Sequence, residues 1–443
     1  MNNPSESVRS LNGSQRSPNE SLRRVSLDAN RYRPDFPILD RVTSSGAPLA
    51  FLDNAASSQR PNAVIDAMTQ CYRQYYANVH RGIHTLSEES TDRYEQARRG
   101  IAKFVGAAET HEVIFAAGTT AAINTVARSW GDANLSTGDT ILLTIAEHHA
   151  NIVPWHQLAE RTGCKVEFLP LDENFTITDD VVVDALERFQ PKLFAFTASS
   201  NTLGVEFPVQ RWTSLAHQAG CTVLVDAAQA APHQAIDVQA LDVDFLVFSG
   251  HKVCGPTGIG VLYGKAALLD AMPPFLSGGG MINEVTTSGF SCAALPDKFE
   301  AGTPPIAEAI GLHAATEYLT SVGLDAIHAY EKELGGYADQ ALREIDGVRI
   351  IGPTPELKAG IVSFVVDGVH AHDMSQTLDT YGIAVRAGHH CTMPLHKSLG
   401  LSATTRASFY FYNTFEEADR LIQAVREIRT RFAPSGRKRR RRS

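Results

Sequence analysis

Between residues 112 and 263 this 443-residue chain alternates short apolar runs with amphipathic stretches, and that alternation leaves few folds open. Runs of strand character lie at Glu112–Ala116, Thr140–Ile145, Lys165–Leu171, Leu193–Ala198, Thr222–Asp226, Phe245–Ser249 and Gly260–Tyr263. Helical periodicity fills several gaps, as at Val209–Ala219 and in the run from Gly118-Thr119-Thr120 to Trp130. Strands joined through helices pair in parallel, so the pattern predicts an α/β fold with a mostly parallel sheet covered on both faces. Upstream, Pro61–Tyr76 has a helical period with proline in its first turn.

After about residue 310 the texture changes. A long helical stretch, Ala309–Leu342, leads into strands at Val348–Ile351, Ile361–Val366, Ala384–Arg386 and Arg406–Tyr412. A last helix, Phe415–Phe432, opens on Thr414 and Glu417, the spacing of a capping box. This predicts a smaller α+β domain. A chain of this length exceeds one ordinary core. The expected division is a large domain over 34–308 and a small one over 309–432, with 34–60 packing against the small one. Residues 1–33 are rich in Ser, Asn, Arg and Pro and read as a disordered tail. Glu6, Glu20 and Asp28 speak against a transit peptide there. Residues 433–443 read as a second disordered tail, ending in the basic run Arg437–Ser443.

Composition excludes several classes. A hydrophobic content of 43% with 20% charged residues describes a soluble globular chain. No apolar run reaches membrane-spanning length, and no secretory leader is visible. The net charge of -9 argues against nucleic acid as the main partner. Six cysteines, at 71, 164, 221, 254, 292 and 391, lie singly. They form neither a disulfide framework nor a zinc site, so no metal is expected and a reducing compartment, the cytoplasm, is the default.

The residues with chemistry to offer fall after strands, where open α/β sheets bind ligands. Lys252 sits among Ser249, Gly250, His251 and a Gly/Pro-rich turn. A lysine buried at such a strand end has its pKa lowered and becomes a candidate Schiff-base former. Asp226, with Gln229 three residues on, ends the preceding strand. A carboxylate there is what the ring nitrogen of pyridoxal phosphate needs to stay protonated. Gly118-Thr119-Thr120 opens a helix and suits an anion. His148 follows another strand and can lie flat on an aromatic ring, and Asn201 can donate to a carboxylate or phenolic oxygen. In the small domain, Cys391 follows Gly388-His389-His390 on a turn, a polar setting that favours a nucleophilic thiolate. The rival reading of any one cysteine is a small buried hydrophobe. That reading fits the other five, with Cys254 the exception because it lies two residues from Lys252. Arg406 is a candidate carboxylate clamp, with a surface ion pair as its plain alternative.

Together these phrases resemble the class V aminotransferase-like pyridoxal phosphate enzymes, and among them the group II (Suf-type) cysteine desulfurases, also called selenocysteine lyases. The resemblance runs over residues 34–432 and rests on L-D-N-A-A-S-S (52–58), N-V-H-R-G-I-H-T-L-S (78–87), G-T-T-A-A-I-N (118–124), E-H-H-A-N-I-V-P-W (147–155), S-N-T-L-G (200–204), V-D-A-A-Q (225–229), S-G-H-K-V-C-G-P-T-G-I-G (249–260), F-E-A-G-T-P (299–304) and R-A-G-H-H-C-T-M-P-L (386–395). It implies the transferase fold of type I, with Lys252 as covalent cofactor anchor, Asp226 on the ring nitrogen, His148 stacked on the ring and Gln229 on its hydroxyl. Thr120, Ser249 and His251 would hold the phosphate. Thr303 would reach the phosphate in the other subunit of a homodimer. Arg406 and Asn201 would hold the substrate carboxylate, with His80 and Arg81 at the site entrance. Cys391 would take sulfur from L-cysteine, leaving L-alanine, and pass it to an acceptor of the SufE or SufU kind in iron–sulfur cluster assembly. L-selenocysteine is a further implied substrate.

Two positions depart from the family pattern: Val253-Cys254 after the lysine, and Pro305 where asparagine is common. The rival readings are a transaminase or β-lyase of the same fold, and a catalytically silent scaffold with a basic tail. A transaminase has no use for Cys391, and a scaffold has none for Lys252, Asp226 and Arg406.

Overall fold

The structure is a computed structural model that describes residues 27–432. Its larger sheet has seven strands in the spatial order Val113–Ala116, Gly260–Gly264, Phe245–Ser249, Thr222–Asp226, Leu193–Thr197, Thr140–Thr144 and Lys165–Leu169. The five strands from Phe245–Ser249 to Lys165–Leu169 pair in parallel, whereas Gly260–Gly264 is antiparallel to both its neighbours. The predicted mostly parallel sheet is therefore present. Its pleat explains the continuous apolar runs. Along Leu193–Thr197, Leu193 and Ala195 enter one core with Trp130, Trp155 and Leu158, while Phe194 and Phe196 enter the other with Trp212. Both faces are dry, so alternation vanishes from the sequence.

A second, four-stranded antiparallel sheet runs Val348–Ile351, Ile361–Val366, Thr404–Ser408, Arg386–Gly388. Ala50–Phe51 pairs in parallel with Ile383–Ala384. Phe415–Phe432 forms one helix whose capping box closes both ways. The Thr414 amide donates to Glu417 Oε2 at 3.1 Å, and the Glu417 amide to Thr414 Oγ1 at 3.3 Å.

Several boundaries differ from the sequence expectation. Ala309–Leu342 is two helices, Ile306–Val322 and Leu324–Arg343, because Gly323 adopts φ +96, a conformation that favours glycine. The strand expected over Arg406–Tyr412 ends at Ser408, where Asn413 Oδ1 captures the Tyr410 amide and closes a turn. The expected strand Ala384–Arg386 is split between the two pairings above, Ile383–Ala384 and Arg386–Gly388. A hairpin, Ile282–Val285 with Phe290–Cys292, carries no strand signature and is mostly exposed.

The described structure also includes residues 27–33. Asp28 caps the short helix Ala29–Tyr32, and Arg33 donates to the Tyr412 carbonyl and to Glu417. Phe36 is fully buried against the Tyr412 ring, 4.6 Å between centroids. Aromatic burial and one ion pair outweigh the polar composition of that stretch. The rest of the expected tails, including the Arg-rich run, lies outside the described residues. Among the described residues no helix is long and apolar enough to cross a membrane.

Candidate active site

The carboxyl ends of the central strands converge on a cavity of about 240 Å3. Its lining includes Thr120, His148, Asn201, Asp226, Gln229, Ser249, His251, Lys252, Cys391 and Arg406, ten of the residues named from sequence. Thr303, His80 and Arg81 are not brought to it. They line a second cavity of about 410 Å3 with Asp297 and Glu300.

The floor is built from backbone. Thr222–Asp226 is the middle strand of seven, and its last residue, Asp226, faces the cavity with Oδ1 accepting the Ala228 amide at 2.9 Å. Burial raises the Asp226 pKa, while the Lys252 charge and that amide pull against it. A cationic ring nitrogen set beside it would pull further in the same direction. Lys252 lies on the short turn after Phe245–Ser249. Burial pushes its ammonium down to about 8, opposed by Asp226 and helped by Arg406. A sizeable neutral fraction is therefore present near pH 8, as a nucleophilic amine requires.

The anion cradle depends on the closeness of two glycines. A Cβ on Gly260 would lie 2.6 Å from Gly118 Cα and 2.5 Å from the Phe248 carbonyl oxygen, so only glycine fits. Gly118, at φ +137, turns the chain into the helix Thr119–Val126. The Thr119 amide donates to Ser249 Oγ at 2.8 Å, and the two hydroxyls are 2.8 Å apart. The Thr120 and Ala121 amides have no acceptor within the helix, and Thr120 lines the cavity. His251 holds the floor through its carbonyl, which accepts from the Ser58 amide. Burial lowers its ring to about 4.

His148 stays neutral at any ordinary pH, because burial lowers it to about 3. Its Nδ1 accepts the Ala150 amide at 3.1 Å, which leaves the proton on Nε2. Gln229 donates to the Ala55 carbonyl at 2.7 Å, and its Oε1 is buried without a partner among the described residues. Arg406 is 1% exposed, which excludes the surface ion pair. Its Nη1 donates to the Asn201 carbonyl at 2.9 Å and its Nη2 to Asp53 at 3.2 Å, while Nε is unpartnered among the described residues. Burial lowers its pKa to about 10, so it remains a cation at neutral pH. An orphaned guanidinium N–H and an orphaned amide oxygen, an amine, a strand-end carboxylate and a helix-start cradle are the donor set that a phosphorylated pyridine aldehyde and an amino acid carboxylate need. The residues fit the cofactor.

Cys391 overhangs the mouth. It is the exposed cysteine, whereas Cys71, Cys164, Cys221 and Cys254 are buried. Burial drives Cys254 up to about 12, which removes it as a competing nucleophile. His390 and Cys391 both have positive φ, +51 and +58, a conformation costing about 1–3 kcal/mol per non-glycine residue. Side chains hold the turn. Asn201 Nδ2 donates to the His390 carbonyl at 2.7 Å, so this amide supports the loop as well as facing the cavity. The His149 amide donates to the Cys391 carbonyl at 2.7 Å. Thr392 Oγ1 meets Thr202 Oγ1 at 3.0 Å.

Three contributors were given no role from sequence: His149, Asp53 and Arg386. Arg386 stands opposite Arg406 across two strands, and like charges so placed repel. Asp53 lies between them, accepting from Arg386 Nε at 3.1 Å and Nη2 at 2.9 Å and from Arg406. The phrase L-D-N-A-A contains Asp53, but its partners become visible only with the strand register. Of the two family departures, Val253-Cys254 is fully buried and Pro305 caps the helix Ile306–Val322.

The aminotransferase class-V family model matches residues 50–421. A probable cysteine desulfurase of Halobacterium salinarum is 47% identical over 415 residues, 94% of this chain and 100% of that protein. One from Synechocystis is 49% identical, covering 90% of this chain and 94% of its own. Among solved structures, a cysteine desulfurase of Escherichia coli in an S-sulfonic acid form superposes with a TM-score of 0.84 at 40% identity, over 92% of this chain and 99% of that one. The apo cysteine desulfurase of Thermococcus onnurineus gives 0.86 at 38%, over 90% and 98%. The chain belongs to the aminotransferase class-V family, among its cysteine desulfurases.

Proposed function

We propose that this chain is a group II cysteine desulfurase that holds pyridoxal phosphate in the Lys252 cavity and moves the sulfur of L-cysteine onto Cys391, releasing L-alanine. The observation that carries the reading is the meeting of an exposed cysteine with a buried lysine, Asp226 and Arg406 around one cavity. Lys252 Nζ would be the covalent anchor, Asp226 would keep the ring nitrogen protonated, and neutral His148 and Gln229 would hold the ring and its hydroxyl. Thr120, Ser249 and His251 take the phosphate. Bound there, the cofactor supplies an electron sink for charge developing at the substrate Cα.

The chain's own residues do the rest. Arg406 orients the substrate carboxylate through its open Nε. Lys252 Nζ, once free, takes the Cα proton. Cys391 Sγ attacks the substrate sulfur, so an S–S bond forms as the Cβ–S bond breaks. That electron pair stays on Cβ and is protonated to a methyl group, and Lys252 returns the proton to Cα to give alanine. Cys391 is left as a persulfide, exposed for transfer to an acceptor thiol of the SufE or SufU kind. L-selenocysteine fits the same clamp. Thr303, His80 and Arg81, remote from this chain's own Lys252, are assigned to an interface with a second copy whose cofactor phosphate Thr303 meets. The 96% exposed Ile83 beside them supports such a covered face.

The test is incubation with L-cysteine and a thiol reductant, assaying alanine and protein-bound persulfide together in wild type and Cys391→Ala. Wild type should yield both. The variant should keep its visible spectrum and lose both products. Alanine made by the variant at the wild-type rate would remove Cys391 from the reaction and move the reading to a β-lyase.

A further inference from the structure

The Cys391 turn is attached to the larger sheet at a place the chemistry above leaves unexplained. His149 neighbours His148 in sequence, but their rings diverge, with centroids 6.3 Å apart and planes at 47°. His148 faces the cavity, and His149 faces the turn. The His149 backbone amide donates to the Cys391 carbonyl at 2.7 Å. Its ring Nε2 accepts the Met393 amide at 3.0 Å. Met393 is the first residue of the short helix Met393–Ser398, so its amide has no acceptor within that helix. One residue therefore clips the turn on both sides of Thr392.

We propose that His149 is a positioning residue for Cys391, whose two clips fix the place of Sγ over the Lys252 cavity. The inference rests on the proposed role of Cys391. The segment His149–Asn151 is anchored below the cavity by Glu147, which accepts from Asn151 Nδ2 at 2.7 Å and from the Thr197 amide at 3.0 Å. The clip thus passes from a buried strand end, through a single residue, to the nucleophile. Burial, with His389 nearby, holds the His149 ring below the usual histidine range, which keeps Nε2 an acceptor. The ring touches neither the carboxylate clamp nor the Lys252 turn, so its loss acts on sulfur transfer and leaves cysteine binding alone.

The experiment compares His149→Leu, His149→Asn and His149→Gln in the cofactor-loaded enzyme, with Cys391→Ala as a control. Leucine cannot accept the Met393 amide, and the asparagine side chain is polar but too short to reach it. Glutamine places an amide oxygen near the Nε2 position. His149→Leu and His149→Asn should lower the kcat for alanine formation by about tenfold or more, because a small misplacement of a reacting atom is costly. The half-saturation of the cysteine-induced spectral change should stay at the wild-type value, and His149→Gln should recover most of the rate. Wild-type kcat in the leucine or asparagine variant would overturn the proposal, as would an equal loss in all three. If one disruptive variant fails to fold, the other still decides between these outcomes. Should Cys391→Ala itself retain alanine formation, the fault lies in the reading of Cys391, and the two failures are told apart.

Discussion

The Lys252 floor and the Cys391 rim face each other across one cavity but are built on opposite principles. The floor consists of strand ends, and its residues are held by a sheet buried on both sides, with glycines permitting the tightest approach. The rim is a turn with two left-handed residues and an exposed thiol, held by a few side-chain hydrogen bonds reaching across from the sheet. The floor gets its precision from packing, and the rim from individual contacts. A group that stays put suits the first, and one that must take an atom and then present it elsewhere suits the second.

The largest break is Lys252→Ala. It should abolish covalent cofactor attachment and turnover together, seen as loss of the visible band and of alanine, and retained turnover would displace the floor from the chemistry. Arg406→Ala comes next. Losing a charge-assisted contact in a desolvated site costs about 2–4 kcal/mol, so the KM for cysteine should rise at least ~30-fold. An unchanged KM would move the clamp to Arg386. Gly260→Ala tests the floor's packing. With no room for a Cβ, the variant should lose about 1–3 kcal/mol of stability, read as a lower Tm, together with weaker cofactor retention. A variant as stable as wild type would show that the Gly118 contact can relax.

Asp53→Asn sharpens the comparison at the point where rim and clamp share a residue. Removing the charge leaves Arg386 facing Arg406 and should raise the KM for cysteine about threefold to tenfold, an effect of roughly 1 kcal/mol for this partly exposed site. A fall in KM would mean that Asp53 competes with the substrate carboxylate. The smallest effect concerns pH. Since burial brings Lys252 to about 8, and the neutral amine is the reactive form, cofactor loading into stripped protein should quicken as pH rises through about 8 and then level off. A rate still climbing towards the ordinary lysine value of about 10.4 would show the floor to be wetter than its burial indicates.

The floor was legible in sequence because strand, turn and reactive residue are contiguous there: Asp226 ends an apolar run, and Lys252 follows another. Cys391 and Arg406 were found through their neighbours. What holds them was not, because Asp53 and Arg406 are 353 positions apart and Arg386 meets Arg406 only in the paired register. The hairpin Ile282–Val285 with Phe290–Cys292 escaped for another reason: short, mostly exposed strands bury too little to leave a pattern. The same holds for the split at Gly323, where one glycine in a continuous helical pattern gives no sign of whether it breaks the helix.

The Asp53 bridge also bears on when the enzyme acquires its activity during synthesis. Every strand of the larger sheet precedes residue 265, so Asp226 and the Lys252 turn are translated well before Arg406. Arg406 is translated long afterwards, and its fork is aligned only when it meets a carboxylate made near the beginning. On the proposed reading, a chain truncated before Arg406 would carry the cofactor-anchoring lysine and lack the guanidinium that grips cysteine.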